Sequence, residues 1–455
     1  MMERLSQFCS SLRYKDLPAV CKERAKILIA DSVTNMISGL ALPVGSVLRS
    51  YAFEIGGNPE CHFVGGRRIP SSLAVFAHSS MASATQWDDT HNRSVTHIGS
   101  AVVPAALAVC EREGLGGKKL IESVVIGAEV MARVGMTLGP RELYAKGFHP
   151  SSLCGPFGAA AASGKAFGFT QNQFFLAFGL AAVQASGLLC GSEKGPMSWY
   201  IQYGKGAECG VLASRLVRLG ASAPQNIFTD FRGFFKVFSD NPKPPWLTKN
   251  LGKAFAIEEI SQKRYPCFQF GQSVLEAFFQ LRRKHSFSST DIVRIIVHIP
   301  SAASKEIFAG AKFDFPPKTV LSAQTDLRFL LGFAATFSEV TLDRLLKDRE
   351  NPSVKAVAGR VSVKGEEELN KRFPAAWPAR VEIYLKGRRS LSHSVSYPKG
   401  DWRNPMTWEE LHQKFTQIVE RKTGRDGSKR IWSQLIHLDE LPTLANLLPR
   451  RLHGK

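Results

Sequence analysis

Acidic residues are scarce in this chain: 39 Asp and Glu stand against 59 Lys and Arg, a formal charge of +20. That excess invites a nucleic-acid reading, yet the basic residues are dispersed. The densest runs are Arg282-Arg-Lys, Lys386-Gly-Arg-Arg and Arg450-Arg, and no interleaved aromatic and basic motif accompanies them. No nucleic-acid partner is expected; a positive field equally attracts a small polyanion such as a di- or tricarboxylate. Paired cysteines are also missing. Cys9, Cys21, Cys61, Cys110, Cys154, Cys190, Cys209 and Cys267 are scattered without a C-x-x-C pair, which speaks against a disulfide or zinc framework. No apolar run reaches the length of a membrane span without a charge or a Gly-rich break, and the N-terminal stretch lacks the apolar core of a signal peptide. A cytoplasmic protein with no membrane partner is therefore expected. Internal repeats and low-complexity linkers are absent.

What is present is ordinary for a globular protein of two or three domains: 455 residues, 44% hydrophobic and 22% charged. From residue 1 to about 255 the apolar residues recur at three- and four-residue spacing, as in Leu17–Leu40, Ser71–Ala84 and Gly116–Gly135. The run Gly155–Gly168 is almost all Ala, Gly and Ser, so it predicts a helix at the centre of a bundle, where backbones approach closely. After Pro266 the pattern changes. Asp291–Pro300 and Arg380–Ser396 alternate with period two, the second turning at Lys386-Gly387, and they bracket helices over Ser322–Phe337 and Val340–Asp348. The tail from Asn404 returns to helix.

The stretch Gln86–Gly99 (Q-W-D-D-T-H-N-R-S-V-T-H-I-G) concentrates titratable groups between two apolar helices. Loops of this kind often house proton-transfer chemistry. The competing reading is an Asp that caps the next helix and a His satisfied locally. Of the two carboxylates, Asp88 is the one expected to cap or scaffold.

Four blocks occur in order: His97–Val109, Gly147–Gly168, Lys263-Arg-Tyr-Pro-Cys and Asp401–Phe415. Together they resemble the 2-methylcitrate dehydratase and cis-aconitate decarboxylase family, which also includes an iminodisuccinate epimerase, and this chain is similar to a divergent member. The resemblance implies a mostly α fold: a large all-helical domain (1–258) completed by C-terminal helices (398–455), with a smaller α+β lid (259–397) inserted. It also implies a homodimer, a site between the domains, and no metal or organic cofactor. By the same resemblance His97, His149 and Asp89 are catalytic, and Thr90 lines the pocket.

The departures from the family pattern bear on substrate. Where a lysine and a histidine are typical, this chain has Trp199 and Gln202; where a histidine is expected after Lys263-Arg-Tyr-Pro, it has Phe268 and Gln272. Leu331 stands for a tyrosine and Gln86 for an aspartate. Each missing charged hydrogen bond costs about 1.5–3 kcal/mol, so a citrate-like acid should bind poorly and an apolar tail well. Gln86, Trp199, Gln202, Arg264, Gln272 and Lys194 are the expected substrate-binding residues besides Thr90, with Lys194, Lys205 and Arg264 as replacement cations. The leading expectation is a cofactor-free lyase acting on a carboxylic acid with a hydrophobic substituent, in a biosynthetic pathway. An isomerase or cyclase is the alternative, and a catalytically silent binding protein a further one.

Overall fold

The computed structural model describes residues 1–190, 194–306 and 314–452. The chain is mostly α-helical, with small sheets. The small-residue helix Pro150–Phe167 is buried along nearly its whole length and packs against Ile98–Arg112, Gly117–Leu138, Gln171–Gln184 and Ser198–Arg218. Its thin side chains let Ser198–Arg218 come into backbone contact. A Cβ on Gly206 would sit 2.8 Å from the Ser152 carbonyl oxygen, and one on Gly210 2.3 Å from that of Pro156. Only glycine fits at such spacings. Tyr203, one turn before Gly206 on the same face, is thereby carried to the N-terminal end of Pro150–Phe167.

Ser71–Ala84 lies between Ser198–Arg218 and Ala19–Gly39, and its end delivers the polar loop into the interior. Thr90–His91 pairs antiparallel with Ile260–Ser261, tethering the loop beside Lys263. The long tail helix Trp408–Ile436 opens with a Thr407–Glu410 capping box, breaks direction at Gly424 and packs along Ala19–Gly39.

Four strands form the larger sheet in the order Val361–Glu366, Ile292–Pro300, Ala379–Leu385, Ser390–Val395. The first pair is parallel and the other two are antiparallel, with Val297 opposite Val363 and Val381. Gln269–His285 packs on Ala379–Leu385 and Ser390–Val395. The hairpin turns where the sequence indicates, with Gly387 in the left-handed region (φ 79°). Two features differ from the sequence reading. Val361–Glu366 was not signalled, because an edge strand that buries only Val361 carries almost no alternation. The stretch Ser322–Phe337 is not one helix: Val320–Thr325 ends at Asp326, whose carboxylate accepts the Arg328 N–H (2.9 Å) and starts Leu327–Phe337.

Among the described residues no single helix is long and apolar enough to cross a membrane; Ala19–Gly39 and Pro43–Ile55 pass that test only as a pair bent by 88°.

Candidate active site

His97 is the N-cap residue of Ile98–Arg112. Its Nδ1–H donates to the Asp89 carbonyl (2.7 Å), with the Thr90 hydroxyl 3.4 Å from the same nitrogen. That bond places the neutral ring's proton on Nδ1 and leaves the Nε2 lone pair open. The side chain keeps 18% of its exposure, so the ring borders solvent. Burial pushes His97 down to about 4, against the pull of nearby Asp88. The ring is a neutral base at pH 7.

The capping expected of Asp88 falls to Asp89, while Asp88 is held in the surrounding charge network. Asp89 is the cap: its Oδ2 accepts the Ile98 N–H (3.0 Å) and its Oδ1 the Gly99 N–H (2.7 Å). A carboxyl spent on two helix N–H groups holds the helix start, so Asp89 fixes His97 through its peptide carbonyl and not its side chain. Asp88 instead faces Lys263 Nζ (3.2 Å), the Ser100 hydroxyl (2.7 Å) and His97 Nδ1 (3.8 Å). Burial works to raise Asp88, but Lys263 and His97 outweigh it and hold the group below the usual carboxylate range. His91 is satisfied locally, its Nδ1 2.8 Å from the Ser94 hydroxyl.

His149 is the N-cap residue of Pro150–Phe167. Its Nδ1 accepts the Ser152 N–H (3.2 Å), so its neutral form carries the proton on Nε2, 3.1 Å from the Tyr203 oxygen. Tyr203 lies between the two histidines, with ring centroids 4.7 Å from His149 and 6.0 Å from His97. The Ser151 hydroxyl accepts the His97 N–H (2.9 Å). Trp199 meets His149 edge-on at 4.6 Å. Burial lowers His149 to about 3, with His97 adding to the effect, and burial beside Asp88 raises the Tyr203 phenol well above its usual value.

A buried charge network supports this arrangement. Lys263 Nζ donates to the Gln86 carbonyl and to Asp88, each at 3.2 Å. Lys414 Nζ donates to Asp31 (2.6 Å), the Trp87 carbonyl (2.6 Å) and the Lys263 carbonyl (3.1 Å). The tail helix, the first long helix, the polar loop and Lys263 are thus joined by ammonium hydrogen bonds.

The structure therefore brings together His97, His149, Thr90 and Trp199. It takes several expected substrate contacts elsewhere. Gln86 is a buried turn residue (φ 50°) whose amide donates to Ser83. Gln202 gives its side-chain oxygen to the Leu188 N–H, and Gln272 clamps Arg264, Tyr265 and Cys267 with both ends of its amide. Arg264 lines a cleft of about 540 Å³ with Glu276, Arg283 and Gln417. Lys194 pairs with Asp314 at the surface, and Lys205 with Glu208. Leu331 is a core residue. Lys194, Gln202 and Gln272 find partners that the folded chain supplies.

Sequence reasoning missed Tyr203, Ser151, Lys263 and Lys414. A signal existed for the first: Tyr203 follows Trp199 by four residues, one helical turn, so both rings share a face. Among the described residues no group of three His, Cys, Asp or Glu side chains is placed to hold a metal ion.

The pattern of a polar loop, a second histidine at a small-residue helix and a lysine before Tyr-Pro-Cys runs through both halves of the chain. Residues 3–247 match the MmgE/PrpD N-terminal domain and residues 265–439 the MmgE/PrpD C-terminal domain. The chain belongs to the MmgE/PrpD family. It is similar to the cis-aconitate decarboxylase-like protein oryM of Aspergillus oryzae, at 24% identity over 98% of this chain and 95% of that protein. The cis-aconitate decarboxylases of mouse (23% identical, 95% of this chain, 89% of that protein) and human (22%, 94% and 90%) are also similar to it.

Proposed function

We propose that this chain is a lyase that moves a proton at a carbon beside a carboxylate, on an acid with a hydrophobic substituent, in a biosynthetic pathway. The names of the relatives support the lyase class, and one observation carries the reading: His97 and His149 flank a single phenol, with the Nε2 lone pair of His97 open. A neutral imidazole takes the acidic C–H proton, and a donor on the opposite side delivers one to the leaving group or to the carbanion left by carbon dioxide. Thr90 beside His97 offers a hydroxyl to a substrate carboxylate, and Trp199 offers an apolar wall. Asp89 serves as a positioning residue through its cap and its carbonyl. The reading calls for no metal or organic cofactor.

Residues 259–397 act in this proposal as a lid over a helical domain made of 1–258 and 398–455. A second copy of the chain completes the assembly. Val47, Tyr51 and Ile55 form an exposed stripe on Pro43–Ile55 and Leu212 and Leu216 another on Ser198–Arg218, two helices that both pack on Ser71–Ala84. Exposed apolar stripes favour burial against a partner.

The commitment of Lys263 to Asp88, and of Lys194 to Asp314, favours a substrate less charged than a tricarboxylate. Isomerisation or ring closure of such a substrate is the second reading. Mass spectrometry of products from a panel of carboxylic acids decides: loss of water or carbon dioxide marks a lyase, and no mass change with a new product marks an isomerase. Turnover of cis-aconitate or 2-methylcitrate at about 1–1000 per second would overturn the apolar-tail substrate. Binding without turnover would point to a silent scaffold.

A further inference from the structure

We propose that Tyr203 is the proton donor of this site and that His149 acts through it; the inference rests on the lyase reading. The argument starts from which atoms have hydrogens to give. A backbone N–H can only donate, so the Ser152 N–H fixes His149 Nδ1 as an acceptor and puts the ring's hydrogen on Nε2. Nε2–H then donates to the Tyr203 oxygen at 3.1 Å. With the His149 Nε2–H donating to that oxygen, Tyr203's own hydrogen is free to reach a third group. The His97 ring lies beside it, its Nδ1 hydrogen held by the Asp89 carbonyl and its Nε2 bare. A base without a proton and an acid with one to give therefore share one site. His149 has no comparable freedom, because both of its nitrogens are already engaged.

The step balances. The C–H bond beside the carboxylate breaks and its proton goes to His97 Nε2. The released electron pair rests first on that carbon, delocalised into the carboxylate; it then forms the new C=C bond as the C–O bond breaks, and the oxygen departs as water with the hydrogen from Tyr203. The phenolate accepts the His149 Nε2–H until solvent carries the His97 proton back to it. In a decarboxylation the C–C bond breaks instead, its pair takes the Tyr203 proton, and water restores the phenol. A donor aimed at the oxygen that becomes negative is electrostatic preorganisation of the kind that lowers barriers.

Tyr203→Phe keeps the ring contacts and removes only the hydroxyl, which makes it the informative variant. Citrate, 2-methylcitrate, cis-aconitate and 2-alkylcitrates with progressively longer tails are incubated in D₂O with the full-length protein. Mass spectrometry reads deuterium entering the recovered acid and, separately, loss of water or carbon dioxide. Wild type should do both on at least one acid if it releases water; if it releases carbon dioxide no C–H proton is removed, and conversion alone is read. Tyr203→Phe should retain exchange within a few-fold, since His97 still removes the proton, while net conversion falls about 10²–10⁴-fold. His97→Asn should lose both. If wild type handles no acid in either way, the lyase reading fails and this proposal with it. If wild type is active and Tyr203→Phe converts equally well, or loses exchange and conversion together, Tyr203 is not the donor and only this proposal falls. Should Tyr203→Phe not fold, 3-fluorotyrosine at position 203 lowers the phenol pKa while keeping its shape. The basic limb of the conversion rate should then move to lower pH, and an unmoved limb overturns the assignment.

Discussion

The imidazole of His97 gives its Nδ1 hydrogen to the carbonyl of Asp89, 2.7 Å away, while the Asp89 carboxyl holds the first two N–H groups of the helix that His97 caps. One residue thus sets the tautomer of a base with its backbone and the position of that base's helix with its side chain. The two functions separate on mutation. Asp89→Asn keeps the carbonyl and one acceptor but presents an NH₂ where a helix N–H points. It should lose about 1–2 kcal/mol of stability in urea unfolding, while the His97 ring keeps its Nδ1–H tautomer in nitrogen-15 spectra. A switch of tautomer would show that the carboxyl does the orienting.

Replacing either histidine by Asn tests His97 as the base and His149 as the support of Tyr203. An Asn side chain reaches about as far as Nδ1, so His149→Asn can still accept from the Ser152 N–H and His97→Asn can still donate to the Asp89 carbonyl. Each loses Nε2. With the acid that the product screen identifies, turnover should fall about 10²–10⁴-fold with near-wild-type melting. Full activity in both variants would move the chemistry elsewhere.

Acid should weaken the fold through these rings. His97 and His149 stay neutral when folded, at about 4 and about 3, whereas an unfolded histidine protonates near 6.5. Between those values the unfolded chain binds more protons, so the groups withdraw stability as pH falls below about 6.5 and nothing is lost above it. Urea midpoints at pH 7 and pH 5 should differ less for His149→Asn than for wild type. Equal differences would mean that His149 already titrates as an exposed ring.

Lys414 and Asp31 are both buried and 2.6 Å apart. Lys414→Met leaves Asp31 in the interior without its cation, with only the Asn35 amide on its carboxylate, and should cost about 3–5 kcal/mol in urea unfolding. Lys414→Met with Asp31→Leu should recover much of that loss. A single variant as stable as wild type would show that the tail helix needs no anchor there.

The exposed stripes predict assembly. Wild type should scatter light as a dimer at micromolar concentration, and Leu216→Asp should favour the monomer, because a desolvated carboxylate at an interface is costly. A monomeric wild type would remove the proposed partner surface.

The sequence alone determined the helices and the position of the loop. Apolar spacing marked Ala19–Gly39 and Gly117–Leu138, and small residues marked Pro150–Phe167 as the helix that others surround, because burial periodicity is written residue by residue. His97, His149 and Trp199 were named from their motifs, and the folded chain gathers them around Tyr203. What the folded chain decided was partnership. Where Lys263 and Lys414 end depends on atoms far apart in sequence, brought within 3.2 Å by packing, and which of Asp88 and Asp89 caps, and that Gln272 is spent on its own loop, depend on the path each loop takes in the folded chain. Tyr203 shows this most plainly. Its place between His149 and His97 follows from Gly206 and Gly210 letting two helix backbones touch, and no local pattern records which buried tyrosine that contact will deliver to the site.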